Sequence, residues 1–177
     1  MSVQKINIVV FGLGTIGSTL INSAIKEQKV LLEKEGLDLS FPVITNSTVA
    51  FFEKESFKNS WEANFTQFPI PFEFEAVVSY LKAQHLENLI AIDATGSETL
   101  VRDYDTLIRN DFDVISVNNT LSRVHPAFNT VINGLLRKFG KQFFYLHPDG
   151  KNSQEAAKAL LQKIILIARQ KQLKIAV

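Results

Sequence analysis

The sequence contains no cysteine, which excludes disulfides, thiolate metal sites and a cysteine nucleophile. It has no marked excess of charge either, since 19 Lys and Arg face 18 Asp and Glu along its 177 residues. A basic field of the kind that attracts phosphate backbones is therefore missing, and we expect no nucleic-acid partner. No apolar run approaches the ~20 residues that cross a bilayer, and the N-terminal run is too short for a signal segment. We therefore expect a cytoplasmic protein with no membrane partner.

Apolar material is abundant, because 46% of the residues are hydrophobic and 21% are charged. That composition predicts a packed core and excludes disorder. The length fits one domain, and no repeat or linker interrupts it. We predict a single domain over residues 1–177.

The most informative stretch is a strand, a glycine turn and a helix near the N-terminus. Residues 6–11 (INIVVF) form a mostly apolar, β-branched run, GLGTIG follows, and apolar residues at helical spacing continue to a stop at Gly36. In such a turn the first glycine permits the bend, the second lets backbone approach a pyrophosphate and the third lets helix and strand pack closely. The helix start favours phosphate. We predict dinucleotide contacts from Gly12, Leu13, Gly14, Thr15, Ile16 and Gly17.

Strands and helices alternate through the rest of the chain. This order predicts an α/β fold, a Rossmann-like doubly wound, mostly parallel sheet with helices on both faces. Pro42 predicts irregularity in its strand or a place near the sheet edge. The aromatic residues 51–74 are interpreted as a long packed loop with short helical turns, or else as a partner surface. Further strands are predicted at residues 39–45, 89–93, 114–117, 142–146 and 173–177, and helices at 75–84, 98–109, 128–139 and 153–172.

Three further strand ends carry polar residues at the edge where nucleotides bind. The second strand ends in Thr-Asn-Ser-Thr with neither the acid that suits NAD nor an arginine for a 2'-phosphate, so the cofactor is NAD or NADP, undecided. Ser97 is equally well explained as a helix N-cap, and the two asparagines as nicotinamide contacts or turn residues. The predicted cofactor contacts here are Asn46, Ser47, Thr95, Gly96, Ser97, Asn118 and Asn119.

No triad or carboxylate pair stands out, so we predict no catalytic residue and no metal site. His85, His125 and His147 are scattered without metal-ligand spacing, which favours loop or surface positions.

The order of these motifs resembles the nucleotide-binding domain of homoserine dehydrogenase, especially that of the bifunctional aspartokinase-homoserine dehydrogenases. The matching segments are INIVVFGLGTIGSTL, VITNSTV, IAIDATGSETLVRDYDTLIRNDFDVISVNNTLS and SQEAAKALLQKIILIARQKQLKIAV. The resemblance implies that residues 151–177 are the closing helix and final strand. It also implies that the family's substrate and dimerisation domain is missing between QFFYLHPDG and that helix.

Two departures concern single residues. The resemblance places a catalytic lysine where this chain has Asn119, and an arginine for the 2'-phosphate where it has Thr48. We therefore expect a cofactor-binding domain that does not act on homoserine alone. One alternative is a regulatory module that self-associates, as a homodimer, or docks on a partner enzyme. A last alternative is a dehydrogenase for another substrate, with His147 as base.

Overall fold

The computed structural model describes residues 3–54 and 60–175. Seven strands form one sheet in the order β4-β3-β2-β1-β5-β6-β7. The strands are β1 (Gln4–Phe11), β2 (Leu37–Thr45), β3 (Val49–Phe52), β4 (Ile70–Pro71), β5 (Leu89–Asp93), β6 (Asp113–Ser116) and β7 (Phe143–Tyr145). The helices are α1 (Thr15–Val30), α2 (Trp61–Gln67), α3 (Phe74–Ala83), α4 (Glu98–Arg102), α5 (Tyr104–Arg109), α6 (Pro126–Phe139) and α7 (Ser153–Ile175).

Five neighbouring strands, from β2 through β1, β5 and β6 to β7, are parallel, and β3 and β4 add an antiparallel edge. The predicted Rossmann-like α/β class is confirmed. Chain order reverses at β1, because β2 lies on one side of it and β5 on the other. This reversal is a topological switch point, where ligands of doubly wound sheets bind.

The first strand shows how the sheet is buried on both faces. Along β1, Ile8 and Val10 enter one core with α1 and α7, while Val9 and Phe11 enter a second core with α3, α4, α5 and α6. Successive side chains of a strand point to opposite faces, so a mostly apolar run fits a strand covered twice.

Among the described residues, β2 pairs with β3 only from Val43 to Thr45, so Pro42 lies at the start of that pairing, next to the part of β2 that borders the sheet edge. The predicted irregularity is confirmed. The β1 pairing runs from Ser40 directly to Val43 while β1 advances from Asn7 to Val9, which leaves one extra residue in β2. A bulge accommodates a proline that cannot donate to the ladder.

The aromatic segment contains more regular structure than the expected loop, namely β3, α2 and β4. Much of the segment is packed, as predicted: Phe51 is 2% exposed, and Trp61 and Phe65 pack against the core. Phe57 lies outside the described residues. β3 and β4 contain four and two residues, which is too short for the alternation of apolar and polar residues that identifies a strand in a sequence.

Two helix boundaries differ from expectation. The predicted helix 98–109 divides at Asp103 into α4 and α5. The predicted strand at 173–177 is wrong for its described part, because α7 continues to Ile175. The Arg169 guanidinium donates to Glu35 at 3.0 and 2.6 Å, and Lys171 lies 2.8 Å from Asp113, so tertiary ion pairs hold the last turns of α7. Of the helices in residues 3–54 and 60–175, none has the length and apolarity to span a membrane.

Candidate functional site

A cleft of about 690 Å³ opens at the carboxyl ends of β1, β2 and β5, at the switch point of the sheet. We call it the carboxyl-edge cleft. It is lined by Phe11, Gly12, Leu13, Gly14, Thr45, Asn46, Ser47, Phe72, Phe74, Thr95, Gly96, Ser97, Thr99, Leu100 and Asp103.

The three glycines of the first turn have different surroundings. Gly12 has φ +93°, and a Cβ there would lie 2.7 Å from the carbonyl carbon and oxygen of Ala94. A Cβ on Gly17 would overlap the carbonyl oxygen of Gly12. A Cβ on Gly14 would meet nothing within 4 Å. Gly12 and Gly17 are therefore required by the fold, whereas Gly14 leaves room on the cleft side of the turn.

The start of α1 faces this room. Gly14 is the N-cap residue, no side chain caps the helix, and its first turn contains no acidic residue. The helical bonds begin with Ser18 N–H donating to Gly14 O at 3.0 Å. The preceding amides of Gly12 and Leu13 both donate to Thr45 O at 2.9 Å. The first-turn amides, which have no helical acceptor, give the cleft a positive end suited to an anion.

The end of β2 forms a turn around Asn46. Its Oδ1 accepts from the Thr48 and Val49 amides at 2.9 and 2.8 Å. This Asx-turn leaves Ser47 exposed on the cleft wall. The turn therefore presents the hydroxyl group of Ser47 to the cleft, without an acidic or basic side chain, whereas the Thr48 hydroxyl donates to Asn46 Oδ1 at 3.2 Å.

The end of β5 is organised by Asp93, which is 1% exposed. Its Oδ1 accepts from the Thr95 amide and hydroxyl at 2.9 and 2.7 Å, and its Oδ2 accepts from the Tyr104 hydroxyl at 2.5 Å. Desolvation raises the pKa of Asp93 against the opposing effect of these donors. Burial, followed by the charge of Asp93, raises the pKa of Tyr104. The network fixes the loop that carries Thr95, Gly96 and Ser97. Ser97 occupies the N-cap position of α4, but its side chain makes no capping bond.

Asn118 completes this network at the end of β6. It is fully buried, and its amide nitrogen donates to Asp93 Oδ2 at 3.0 Å and to Ser97 O at 2.9 Å. Its Oδ1 accepts from the Thr120 amide and hydroxyl at 3.0 and 2.8 Å. Asn119 is exposed. These bonds give Asn118 the role of a turn residue, one of its two predicted roles. A nicotinamide contact stays a prediction for both asparagines.

The structure brings eight of the predicted contact residues into the carboxyl-edge cleft. Thr15 and Ile16 lie in the first turn of α1 beside it, and Gly17 is buried beneath it. Asn118 and Asn119 do not line it. The eight are Gly12, Leu13, Gly14, Asn46, Ser47, Thr95, Gly96 and Ser97.

Sequence reasoning missed one wall of the cleft. Phe72 and Phe74 pack on Phe11 with ring centroids 6.2 and 6.1 Å apart, and Leu100 and Asp103 come from the α4 side. The aromatic segment was assigned to packing or to a partner, and nothing in its spacing signalled a cleft. No signal pointed to Asp103 either, because the sequence predicts one continuous helix over residues 98–109, and the division at Asp103 appears only in the structure.

The histidines lie outside this cleft. His125 caps α6, since its Nδ1 accepts from the Ala127 amide at 3.1 Å, and His147 Nδ1 lies 3.1 Å from Asp149 Oδ2. Within residues 3–54 and 60–175, no three His, Asp or Glu side chains form a group that fits a metal ion.

Comparison with known families decides the affiliation. Residues 12–145 match the family model described as "Homoserine dehydrogenase, NAD binding domain". The chain belongs to this family. The match starts at Gly12 and ends at the last residue of β7, so it contains the glycine turn and every strand from β2 to β7.

Curated relatives of the family are much longer. The chain is 28% identical over 143 residues to a bifunctional aspartokinase/homoserine dehydrogenase of Buchnera aphidicola, covering 80% of this chain and 17% of that protein. It is 25% identical over 134 residues to bifunctional aspartokinase/homoserine dehydrogenase 2 of Escherichia coli, covering 71% and 16%. The chain thus spans about a sixth of the length of these relatives.

Solved structures share the fold at low identity. Homoserine dehydrogenase of S. aureus at pH 6.5 aligns with a TM-score of 0.59 and 18% identity, covering 85% of this chain and 34% of that one. A hyperthermophilic archaeal homoserine dehydrogenase in complex with NADPH aligns with a TM-score of 0.59 and 15% identity, covering 80% and 44%.

Proposed function

We propose that this chain binds NAD or NADP in the carboxyl-edge cleft and does not interconvert homoserine and aspartate semialdehyde by itself. The observation that carries the binding proposal is the open space beside Gly14 at the start of α1. A pyrophosphate needs close backbone approach and unpaired amides, and both are present there. A cytoplasmic location is part of the proposal.

The cleft fits the adenosine diphosphate half of a dinucleotide. Gly14 and the amides of α1 would hold the pyrophosphate, Ser47 would lie near the adenosine ribose, and Phe72 and Phe74 would give the base an apolar wall. When bound, the nicotinamide would supply hydride transfer. Thr95 and Ser97 are held in place for contact by the Asp93 network.

The inactivity proposal depends on the connection between β7 and α7. Residues 146–152 join them directly, and Asn152 and Glu155 cap α7 reciprocally at 2.9 and 3.0 Å. The family resemblance implies a substrate domain at this place and a catalytic lysine where the chain has the exposed Asn119. An asparagine side chain neither carries that charge nor relays its proton.

Calorimetric titration of the whole chain with NAD, NADP and their reduced forms tests binding. We expect saturable binding, together with slower amide hydrogen exchange over residues 11–18. No binding at about millimolar cofactor, a range in which weak sites still register, would refute the binding proposal. Homoserine oxidation that a Gly14→Asp variant abolishes would refute the inactivity proposal.

A second candidate is a protein-interaction module, favoured by the β4 edge of the sheet. Phe68 and Ile70 are 46% and 47% exposed there, and they border a groove of about 550 Å³ with Phe52 and Tyr80. Exposed apolar sheet edges are docking surfaces for other chains. Light scattering tests self-association, and a monomer at all concentrations would count against a homodimer.

A further inference from the structure

The charge of the carboxyl-edge cleft is one-sided. Among the described residues that line it, Asp103 is the single charged side chain, and none is Lys, Arg or His. Positive potential comes from the start of α1, at the glycine turn. Negative charge comes from Asp103.

Within residues 3–54 and 60–175, the Asp103 carboxylate makes no hydrogen bond or ion pair. Asp103 sits at the junction of α4 and α5 and is the N-cap residue of α5, yet its side chain makes no capping hydrogen bond. Its backbone provides the local bonds, with the amide donating to Leu100 O and the carbonyl accepting from the Leu107 amide, each at 3.0 Å. Desolvation, followed by the charges of Asp105 and Glu75, raises the pKa of Asp103. A half-buried acceptor without a protein donor is a group that a ligand donor would satisfy.

Asp103 lies on the side of the cleft that Phe72 and Phe74 form, because the charge of Glu75, the neighbour of Phe74, acts on its carboxyl group. The five residues of α4 separate it from Ser97, a rise of about 7.5 Å along that helix. Thr99 and Leu100 line the cleft between these two points. The Phe72 amide donates to Thr48 O at 2.9 Å, so this aromatic wall adjoins the end of β2, and we place the Asp103 carboxylate at the proposed adenosine end of the cleft.

We propose that Asp103 makes the carboxyl-edge cleft select NAD over NADP, by repelling the 2'-phosphate and accepting a hydrogen bond from an adenosine hydroxyl or amino group. This inference rests on the proposed dinucleotide binding. A 2'-phosphate adds close to two negative charges at neutral pH. Repulsion by a carboxylate across a half-solvated cleft, with no Lys, Arg or His among the described residues that line it, is expected to weaken NADP roughly tenfold or more relative to NAD.

The test is titration of the whole chain and two variants with NAD and NADP at low salt. Asp103→Asn keeps the shape and removes the charge, and it should reduce the preference for NAD severalfold or more, mainly through tighter NADP binding. Glu27→Gln removes one negative charge from the exposed face of α1, outside the cleft, and should leave the preference unchanged. Circular dichroism verifies the fold of each variant.

A salt series on the unmodified chain provides a measurement that no folding defect affects. The ratio of NADP to NAD dissociation constants should fall as ionic strength rises, because screening weakens the repulsion. Equal affinities for NAD and NADP, a ratio unchanged in Asp103→Asn, or equal losses of both ligands in that variant would each overturn the selectivity. Failure of either dinucleotide to bind the unmodified chain would instead refute the proposed function.

Discussion

Two parts of the same sheet edge use polar residues in opposite ways. At the ends of β1 and β2, Gly14 and Ser47 border open space in the carboxyl-edge cleft. At the end of β6, Ser116 and Asn118 are buried, and their polar atoms bond to Asp93, Tyr104 and neighbouring amides. A polar strand end therefore serves a ligand or the scaffold according to whether the protein already supplies its partners.

The largest expected effect concerns the buried glycine beneath the open turn. In Gly17→Ala the new methyl overlaps the Gly12 carbonyl, and backbone has little freedom to move. We expect a loss of about 3–5 kcal/mol in the free energy of unfolding, measured by urea denaturation. Gly134→Ala in α6 is the matched control, because its Cβ meets nothing within 4 Å, and it should be neutral or stabilising by about 0.5–1 kcal/mol. Equal behaviour of the two variants would contradict the assigned role of Gly17.

The adjacent asparagines test the closed region. Asn118→Ala removes one of the donors to Asp93 Oδ2 and the side-chain partner of Ser97 O and of the Thr120 amide, and it should cost about 2–4 kcal/mol of unfolding free energy. Asn119→Ala, at an exposed position, should change it by less than about 0.5 kcal/mol. Thermal and urea denaturation would measure both. An Asn118→Ala variant that stays stable but loses cofactor binding would show that Asn118 contacts the ligand and does not mainly stabilise the fold.

Gly14→Ala tests the open region without disturbing the fold. The methyl has space and the backbone φ of −96° suits an L residue, so stability should change by less than about 1 kcal/mol. The same methyl would obstruct a pyrophosphate, and we expect NAD binding to weaken about tenfold or more, roughly 1.4 kcal/mol. Calorimetry on the folded variant measures this. An unchanged affinity for NAD would show that the glycine turn is not part of the binding site.

A last prediction concerns Tyr104, whose hydroxyl bonds to Asp93 and Ser116 in the closed region. Tyr104→Phe removes these bonds and should cost about 1–2 kcal/mol at neutral pH. The pKa of Tyr104 is raised in the folded chain, so above about pH 10 the unfolded chain loses the hydroxyl proton while the folded chain keeps it. Deprotonation therefore favours the unfolded chain, and the stability that the Tyr104 hydroxyl contributes declines as pH rises. The stability gap between the unmodified chain and the variant should narrow there in denaturation at increasing pH. A gap that widens would contradict the sign of the shift.

The sequence by itself determined the sheet class and the place of the turn. Mostly apolar runs predicted β1 and β5, glycine spacing predicted the switch-point turn, and these signals are local, since each depends on residues adjacent in the chain. The positive φ and close contacts of Gly12 agree with a glycine requirement read from the motif.

Only the tertiary structure decided which polar residues are available to a ligand. Asn118 bonds to Asp93, 25 positions away, and Arg169 near the end of α7 pairs with Glu35, 134 positions away. Asp103 joins Ser47 at one cleft through the order of the strands. Such partners are invisible to local patterns, because side-chain satisfaction depends on contacts between distant segments, whereas strand and turn propensities do not.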